Sequence, residues 1–294
     1  MIRIAATWKE AFKFLAEGQK LLENGACSED AVEHVISRIE DDPEERTVGY
    51  NGYLTREGRS ELDAAFMEGR ARRIGAVAGL SGFRNPIRAA RMVMEKTPHN
   101  LIVGDGACRF AEEMGLEKRD MITPESLREL ADRKENGVKK PGHDTVGVIA
   151  LRDGHFACGL STCGFLYRMP GRVSDSAIPA CGYFCDDSVG AAVCTGVGED
   201  IMRGALASKA FFYMEAGEDA ETAARRAVGD AHLRVKDLGR VAVLCIDKNG
   251  NIGGSANHND FVISKIGPDG NAFVDPVAYC FKGQDVPVGE ELYL

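Results

Sequence analysis

The chain has 294 residues, of which 44% are hydrophobic and 28% are charged, and its net charge at pH 7 is −9. This composition is typical of a globular protein with one large α/β domain or two small ones, and the acidic balance argues against nucleic acid or an anionic membrane as a partner. No apolar run has the length of a membrane helix or of a signal-peptide core, so we expect no membrane partner and a cytoplasmic location.

The first half of the chain shows alternating strand and helix patterns. The predicted elements are a strand at 1–8, helices at 9–23 and from 28 to 42, strands at 62–67 and 74–78, a helix at 86–96, a strand at 101–103 and a helix through 110–114. Residues 117–142 are rich in charge, with one short exposed helix predicted at 127–132. This segment is the best candidate for a flexible connector or a processing segment.

The second half begins with a clear hairpin pattern. The predicted elements are strands at 145–151 and 155–162, a loop at 163–187, a strand at 189–195, helices at 199–216 and 218–235, a hairpin of strands at 241–247 and 251–257, and a last strand at 261–265. Paired helices and strands able to pair antiparallel predict an α+β fold with two stacked sheets between two helical layers. No low-complexity linker separates the halves, so we expect one domain over residues 1–294.

The nine cysteines indicate buried thiols rather than a metal centre. Several, such as Cys194, lie inside apolar runs, which is typical of reduced cysteines that pack as small hydrophobes. The most closely spaced pairs, Cys158 with Cys163 and Cys181 with Cys185, lack the Cys-x-x-Cys spacing, and no histidine follows at ligand spacing. We predict no catalytic metal.

The tripeptide His143-Asp144-Thr145 joins a polar, turn-rich stretch to an apolar strand. If the chain were cut before Thr145, this residue would carry a hydroxyl nucleophile and its own base, an α-amine with a pKa of about 7.7–8.0. Asp144 could assist the Thr145 hydroxyl in attacking the Asp144 carbonyl, which would shift the acyl group from nitrogen to oxygen before water releases the new terminus. The alternative is that Thr145 is simply a good strand former.

The segment 171–176 contains an arginine and an aspartate that could bind an α-amino acid by both of its ends. Arg172 would contact the α-carboxylate through its planar fork, and Asp175 would accept from the α-ammonium group. The alternative is a structural ion pair that holds the loop.

A glycine-rich turn at 195–200 follows a predicted strand and begins a helix. Such turns often bind phosphate, but Glu199 and Asp200 would repel a polyanion, which disfavours a nucleotide-binding protein. Free amides in the turn could instead stabilise an oxyanion, and a packing turn is the alternative. Thr162 ends the second strand of the first hairpin and could lie beside Thr145. Trp8, the single tryptophan, is more typical of a core than of a site.

These segments together resemble the glycosylasparaginase family of N-terminal nucleophile hydrolases. The resemblance is carried, in the family's order and over nearly the whole chain, by residues 7–8, 40–43, 85–87, 94–99, 103–107, 143–147, 171–173, 175–176 and 192–198. The His-Asp-Thr junction and the Gly-Arg-Val-x-Asp-Ser loop are its most specific parts.

The resemblance implies a four-layer αββα sandwich and self-cleavage into chains 1–144 and 145–294. It implies hydrolysis of the amide between an asparagine side chain and N-acetylglucosamine, through a β-aspartyl ester on Thr145, with no cofactor and an (αβ)₂ assembly. It implies that Thr145 is the nucleophile and that Thr162 is the threonine that orients it. Arg172 and Asp175 would bind the carboxylate and the amine of the aspartyl group. Thr195 and Gly196 would form the oxyanion hole, and Trp8 would lie at the border of the site.

Two rival functions stay open. Plant-type asparaginases and isoaspartyl peptidases share the Arg172 and Asp175 pattern but usually have glycine before the threonine, so Asp144 and Trp8 favour a glycosylasparaginase. Cys163 and Val197 depart from the family pattern, as does Ser174, and these departures bear on the leaving group. The rival of another class is an unprocessed homologue that only binds amino acids.

Overall fold

A computed structural model describes residues 1–136, 145–267, 270, 272–276 and 278–279. The helices are α1 Phe12–Glu23, α2 Ser28–Glu40, α3 Pro86–Lys96, α4 Gly104–Glu113, α5 Pro124–Asn136, α6 Gly198–Gly204, α7 Leu206–Glu215 and α8 Ala220–Arg234. The strands are β1 Ile2–Thr7, β2 Leu62–Glu68, β3 Ile74–Leu80, β4 Leu101–Val103, β5 Val146–Arg152, β6 His155–Thr162, β7 Tyr183–Asp186, β8 Gly190–Gly196, β9 Val241–Asp247, β10 Ile252–Ala256, β11 Val262–Ile266, β12 Ala272–Pro276 and β13 Ala278–Tyr279.

The described strands form two mainly antiparallel sheets. The larger has eight strands in the order β12-β11-β1-β5-β6-β2-β3-β4, and the smaller has five in the order β13-β10-β9-β8-β7. The parallel pairs are β3 with β4 and β10 with β13, both at sheet edges. The predicted hairpins are present, with β5 pairing with β6 and β9 with β10.

Three hydrophobic clusters separate four layers. The first lies between helices α1–α4 and the larger sheet, the second between the two sheets, and the third between the smaller sheet and helices α6–α8. In strand β5, alternate residues face different clusters: Val148 and Ala150 belong to the first cluster, whereas Ile149 and Leu151 belong to the second. Successive side chains of a strand point to opposite faces, and both faces are covered, so the strand is apolar throughout. The predicted αββα sandwich is confirmed.

The predicted loop at 163–187 was wrong in part. It contains a 3₁₀ turn, Asp175–Ala177, and strand β7. Strand β7 has four residues and pairs with β8, and its Phe184 ring packs edge-on against Phe211 of α7 at 4.8 Å between centroids. So short a strand depends on these contacts with neighbouring elements, which local sequence does not encode.

The single helix predicted at 199–216 is two helices. Ala205 separates α6 from α7 with a left-handed φ of 46°. The amides of Ala207 and Ser208, in the first turn of α7, donate at 3.0 Å to the carbonyls of Cys181 and Ala180. Because these amides donate to the loop before β7, they do not extend the hydrogen-bond ladder of α6. The chain therefore changes direction at Ala205, and α7 packs on the smaller sheet.

Helix α5 is longer than the predicted six-residue helix. Thr123 and Ser126 exchange hydrogen bonds between side chain and backbone at its start, and Pro124 occupies its first turn. Arg46 then pairs with Glu125 and Glu129 of α5 at 3.0 and 2.8 Å. The capping pattern was present in the sequence, but the ion pairs with Arg46 are a tertiary contact.

Strands β12 and β13 were not predicted. The cysteines of the described residues are free, and five of them, Cys158, Cys163, Cys185, Cys194 and Cys245, are buried, as the apolar runs around them indicated. Among the helices that the structure describes, none combines the length and the apolarity needed to cross a bilayer.

Candidate active site

Thr145 lies buried at the start of β5, with 2% of its surface exposed. Its hydroxyl oxygen is 3.0 Å from the Oγ of Ser176, in the 3₁₀ turn. Its carbonyl accepts a hydrogen bond from the Thr7 hydroxyl at 3.2 Å, and the same hydroxyl accepts from the Gly147 amide at 2.9 Å. Thr7 therefore fixes the backbone of Thr145, and the Thr145 side chain faces the turn. The predicted processing residues His143 and Asp144 lie outside the described residues.

Thr162 ends β6 beside the start of β5. The antiparallel register pairs Val146 with Ser161, which brings Thr145 and Thr162 to the same end of the hairpin, as predicted. The Thr162 hydroxyl accepts from the Gly164 amide at 2.9 Å and lies 3.5 Å from the Thr47 carbonyl. The hairpin thus places two threonines at the same end of two central strands of the larger sheet.

Trp8 follows β1 and connects the two sheets. Its indole Nε1 donates to the Thr195 hydroxyl, at the end of β8, at 2.9 Å. Its ring packs edge-on against Phe261 at 4.9 Å between centroids, within the cluster between the sheets. Its φ is 63°, a region that bulky residues rarely adopt, and such conformations cluster at functional sites. Trp8 is therefore a core residue and a neighbour of the predicted oxyanion turn at once.

The turn after β8 needs its glycine for a close backbone approach. Gly196 has a φ of 127°, and a Cβ on it would lie 2.2 Å from the Arg240 carbonyl oxygen. The next amide, on Val197, donates to that same carbonyl at 2.7 Å. The Val197 amide is therefore committed to the fold and does not serve as an oxyanion donor.

Arg172 pairs with Glu199 rather than with Asp175. Its Nε and Nη2 each donate to one carboxylate oxygen of Glu199 at 2.8 Å, and the guanidinium carbon lies 4.8 Å from the Phe165 ring centroid. Burial raises the pKa of Glu199, but the hydrogen bonds and charge of Arg172 outweigh it, so the net shift is downward. The sequence interpretation assigned Glu199 only a repulsive effect on phosphate and missed this role.

Asp175 is a buried carboxyl group with 1% of its surface exposed. Its Oδ2 has no hydrogen-bond partner among the described residues. Burial raises its pKa to about 7, while the nearby charge of Arg172 acts in the opposite direction. A Cβ on Gly198 would lie 2.6 Å from Asp175 Oδ1 and 2.8 Å from Arg172 Nη2. The absence of a side chain at Gly198 therefore lets the backbone at the start of α6 approach both charged groups closely.

Asp63 anchors the loop that carries Arg172 and Asp175. It lies opposite Thr162 in the pairing of β2 with β6, and its carboxylate accepts from the amides of Ser174 and Gly79 at 2.7 and 2.9 Å. Burial raises the pKa of Asp63. Sequence reasoning missed this residue, although an acid inside an apolar strand was a signal that a buried polar contact would be found.

A group that could hold a cation lies elsewhere on the sheet. Glu29, Glu68 and His155 offer ligand atoms within 4.8 Å of one another. The two ring nitrogens of His155 are 3.0 Å from Glu29 and 2.9 Å from Asp187. Burial lowers the pKa of His155, but these carboxylates outweigh it and raise it overall. His155 begins β6 whereas Thr162 ends it, so this ion-pair network is separate from the candidate site.

Comparison with known proteins now decides the family. A family model described as asparaginase matches residues 3–271. The chain belongs to the asparaginase family. Because this family comprises N-terminal nucleophile hydrolases, the chain is an amide hydrolase.

Relatives of this chain carry three kinds of name. The chain is 36% identical to an N(4)-(β-N-acetylglucosaminyl)-L-asparaginase of Elizabethkingia miricola, over 93% of this chain and 84% of the relative. It is 37% identical to an isoaspartyl peptidase/L-asparaginase of Mus musculus, over 80% and 74%. It is 35% identical to a plant-type L-asparaginase of Thermococcus kodakarensis, over 86% and 88%. The predicted relationship to glycosylasparaginases is confirmed, and the names alone do not select one substrate.

Proposed function

We propose that this protein cuts itself before Thr145 and then hydrolyses the side-chain amide of β-substituted aspartyl compounds. The observation that carries the proposal is the buried Asp175 carboxyl group, whose Oδ2 has no hydrogen-bond partner among the described residues, close to the Arg172 guanidinium. Ser176, the residue after Asp175, contacts the Thr145 hydroxyl. A group that can bind a cation (Asp175), a group that can bind an anion (Arg172) and the proposed nucleophile (Thr145) therefore lie within one small region.

The two charged residues would hold the two ends of the amino acid. Asp175 would accept from the α-ammonium group, which provides the partner that a buried carboxylate requires. Glu199 occupies the Nε side of Arg172, so the Nη1 side remains for the α-carboxylate. Glu199 would in this way orient the guanidinium rather than compete with substrate.

Self-cleavage would use the Thr145 hydroxyl and the Asp144 carbonyl. The hydroxyl oxygen attacks the carbonyl carbon, the Asp144–Thr145 peptide bond breaks, and the hydroxyl proton moves to the released amine. Water then hydrolyses the ester, which restores the Thr145 hydroxyl and leaves a carboxylate on Asp144. The products are chains 1–144 and 145–294.

Substrate hydrolysis would repeat this chemistry on the side-chain amide. The Thr145 amine takes the hydroxyl proton as the oxygen attacks, and the leaving amine receives a proton as its bond to carbon breaks. Thr195 and Gly196 would face the oxyanion, Thr162 would steer Thr145, and Trp8 would border the site. Water releases aspartate from the β-aspartyl ester, and the scheme needs no cofactor.

The preferred substrate in this proposal is N4-(β-N-acetylglucosaminyl)-L-asparagine. Asp144 before the threonine and Trp8 after β1 favour it, and the Elizabethkingia miricola relative carries that name. L-asparagine and β-aspartyl peptides are the second candidates, because relatives of similar identity are named for them. An unprocessed amino-acid-binding protein is the alternative of another class.

The test combines intact mass with turnover. Mass spectrometry under denaturing conditions should find two pieces that meet between Asp144 and Thr145, and N-terminal sequencing should find threonine. Glycosylated asparagine, L-asparagine and a β-aspartyl dipeptide, assayed side by side, then rank the substrates. Thr145→Ala should stay one chain and be inactive. A parent protein that stays intact after long incubation and releases no aspartate would leave only the binding protein.

A further inference from the structure

Ser176 is held rigidly against the nucleophile of the proposed reaction. It is fully buried in the middle of the 3₁₀ turn, and its Oγ is 3.0 Å from Thr145 Oγ1. The Ile178 amide closes the turn on the Asp175 carbonyl at 2.8 Å, and Asp63 holds the Ser174 amide at 2.7 Å. The position of the Ser176 hydroxyl is therefore determined by the turn and by its anchor on the larger sheet.

We propose that Ser176 is a positioning residue that orients the Thr145 hydroxyl both for self-cleavage and for amide hydrolysis. The inference rests on the proposed function. No bond to Ser176 forms or breaks. Its hydroxyl restricts the rotation of the Thr145 side chain and donates to Thr145 Oγ1 while that oxygen transfers its proton to the amine.

The turn also couples substrate binding to the nucleophile. Asp175, the proposed acceptor for the α-ammonium group, and Ser176 are consecutive residues of the same turn. An ammonium group that seats against Asp175 therefore fixes the segment that holds Thr145. In this arrangement, the distance from the α-ammonium group to the attacked carbonyl is set by one rigid turn rather than by two independent loops.

Ser174 offers an internal comparison for a purely structural role. It is as buried as Thr145 and lies two residues before Ser176, but its hydroxyl neighbours the Asp63 carboxyl group and makes no hydrogen bond with Thr145. A buried hydroxyl in this loop therefore does not by itself require contact with the nucleophile. Replacing Ser174 removes the same group from the same segment without touching Thr145.

The test measures self-cleavage, kcat and KM in Ser176→Ala, with Ser174→Ala as the matched control. The cleavage rate is followed by gel from freshly synthesised chain, and turnover uses the aspartyl amide that the parent hydrolyses fastest. Ser176→Ala is expected to lower kcat and the cleavage rate roughly 10–100-fold and to change KM less than about twofold, because the contact strengthens as charge develops on oxygen. Ser174→Ala should stay within about twofold of the parent in kcat and in the cleavage rate.

Ser176→Cys covers the case in which the alanine variant does not fold, because it keeps the volume but donates weakly. It should show the same loss of kcat at an unchanged melting temperature. A kcat within about twofold of the parent in a folded Ser176 variant overturns the inference, as does an equal loss in Ser174→Ala. A parent that neither cuts itself nor hydrolyses any aspartyl amide overturns the proposed function together with the inference. An active parent whose Ser176 variants keep their kcat overturns the inference alone.

Discussion

The environment of Asp175 disfavours its ionised form without a ligand and would favour it with a bound cation. A buried carboxylate is costly unless it is paired and hydrogen-bonded, and here burial raises the pKa to about 7. The neighbouring guanidinium does not relieve this cost by direct contact, since its fork is used by Glu199. The α-ammonium group of an amino acid would supply the missing partner. A ligand without an ammonium group would leave the buried carboxylate unpaired, so the site would select zwitterions.

The first prediction concerns Asp175 and pH. The raised pKa means that the carboxyl group in the free enzyme is ionised above about 7 and protonated below it. The parent should therefore lose kcat/KM as pH falls through about 7, where the Thr145 amine also takes up a proton. Asp175→Asn should lose on the order of 2–5 kcal/mol of transition-state binding at pH 8 and show a shallower fall at lower pH. Equal pH profiles for the two proteins would remove Asp175 from the site.

The second prediction separates binding from processing. Arg172→Ala should still cut itself, because the precursor offers no free α-carboxylate for Arg172 to contact, but it should lose most of its kcat/KM. Glu199→Gln is the companion variant and should show a smaller loss, mainly in KM, because the guanidinium loses orientation but keeps its charge. Gel analysis and steady-state kinetics measure both, and an unchanged kcat/KM in Arg172→Ala would contradict the assignment.

At the scale of elements, Glu40 joins α2, α3 and β6. Its Oε1 accepts from the Ser161 hydroxyl at 2.6 Å and from the Ile87 amide at 3.0 Å, and its Oε2 accepts from Asn85 at 3.3 Å. Its backbone carbonyl accepts from Tyr50. Ser161 precedes Thr162, so a residue at the end of a helix helps to place the hairpin that carries the site.

The third prediction follows from this contact. Glu40→Ala should lower the free energy of unfolding by about 2–4 kcal/mol, from three hydrogen bonds worth about 1 kcal/mol each. Burial raises the pKa of Glu40 from 4.5 to about 8, so its contribution is fully present below 4.5, falls as pH rises from there, and is lost above about 8. Glu40→Gln should therefore lose less than Glu40→Ala and flatten this dependence. Urea unfolding at pH 6 and pH 9 tests it, and Glu44→Ala, an exposed acid nearby, should stay within about 0.5 kcal/mol of the parent.

At the scale of the whole molecule, the two sheets approach closely behind the site. A Cβ on Gly147 would lie 2.9 Å from Val193 of the other sheet. Gly229 of α8, in contrast, has nothing within 4 Å of the position that a Cβ would take. One glycine is thus required by packing between layers, and the other is not.

The fourth prediction uses this pair. Gly147→Ala should destabilise the protein by about 1–3 kcal/mol through overpacking. Gly229→Ala should stabilise it by about 0.5–1 kcal/mol, because alanine is the better helix former. Urea midpoints of the two variants measure the difference, and a neutral Gly147→Ala would mean that the sheets separate easily.

The fifth prediction concerns the pieces made by cleavage. Strand β1 lies between β11 and β5 in the larger sheet, and β2 lies beside β6, so both proposed chains contribute neighbouring strands to one sheet. Chains 1–144 and 145–294 should therefore co-purify as one particle in native buffer and separate only on unfolding. Native and denaturing mass spectrometry test this, and pieces that part without denaturant would contradict it. The single domain, the (αβ)₂ assembly and the cytoplasmic location stay predictions.

Much of this architecture was predictable because it depends on local patterns. The period of apolar residues located α2, Pro86 marked the first turn of α3, and turn residues between strand-like runs located both hairpins. Paired helices and strands in each half indicated two stacked sheets between helical layers. The break at Ala205 and the short strand β7 were not predictable, because each depends on hydrogen bonds or packing with elements distant in sequence. Local propensity is weak compared with such contacts.

The amino-acid sequence alone indicated the candidate residues for the proposed chemistry: Thr145 at a junction, Arg172 and Asp175 in one loop, and a glycine turn after a strand. Their partners follow only from the fold. Arg172 meets Glu199 instead of Asp175, Ser176 meets Thr145, and Trp8 meets Thr195 across the two sheets. The sequence gives the chemical groups that are present. Hydrogen bonds and ion pairs form at about 3 Å, and only folding brings segments that are remote in sequence within that distance.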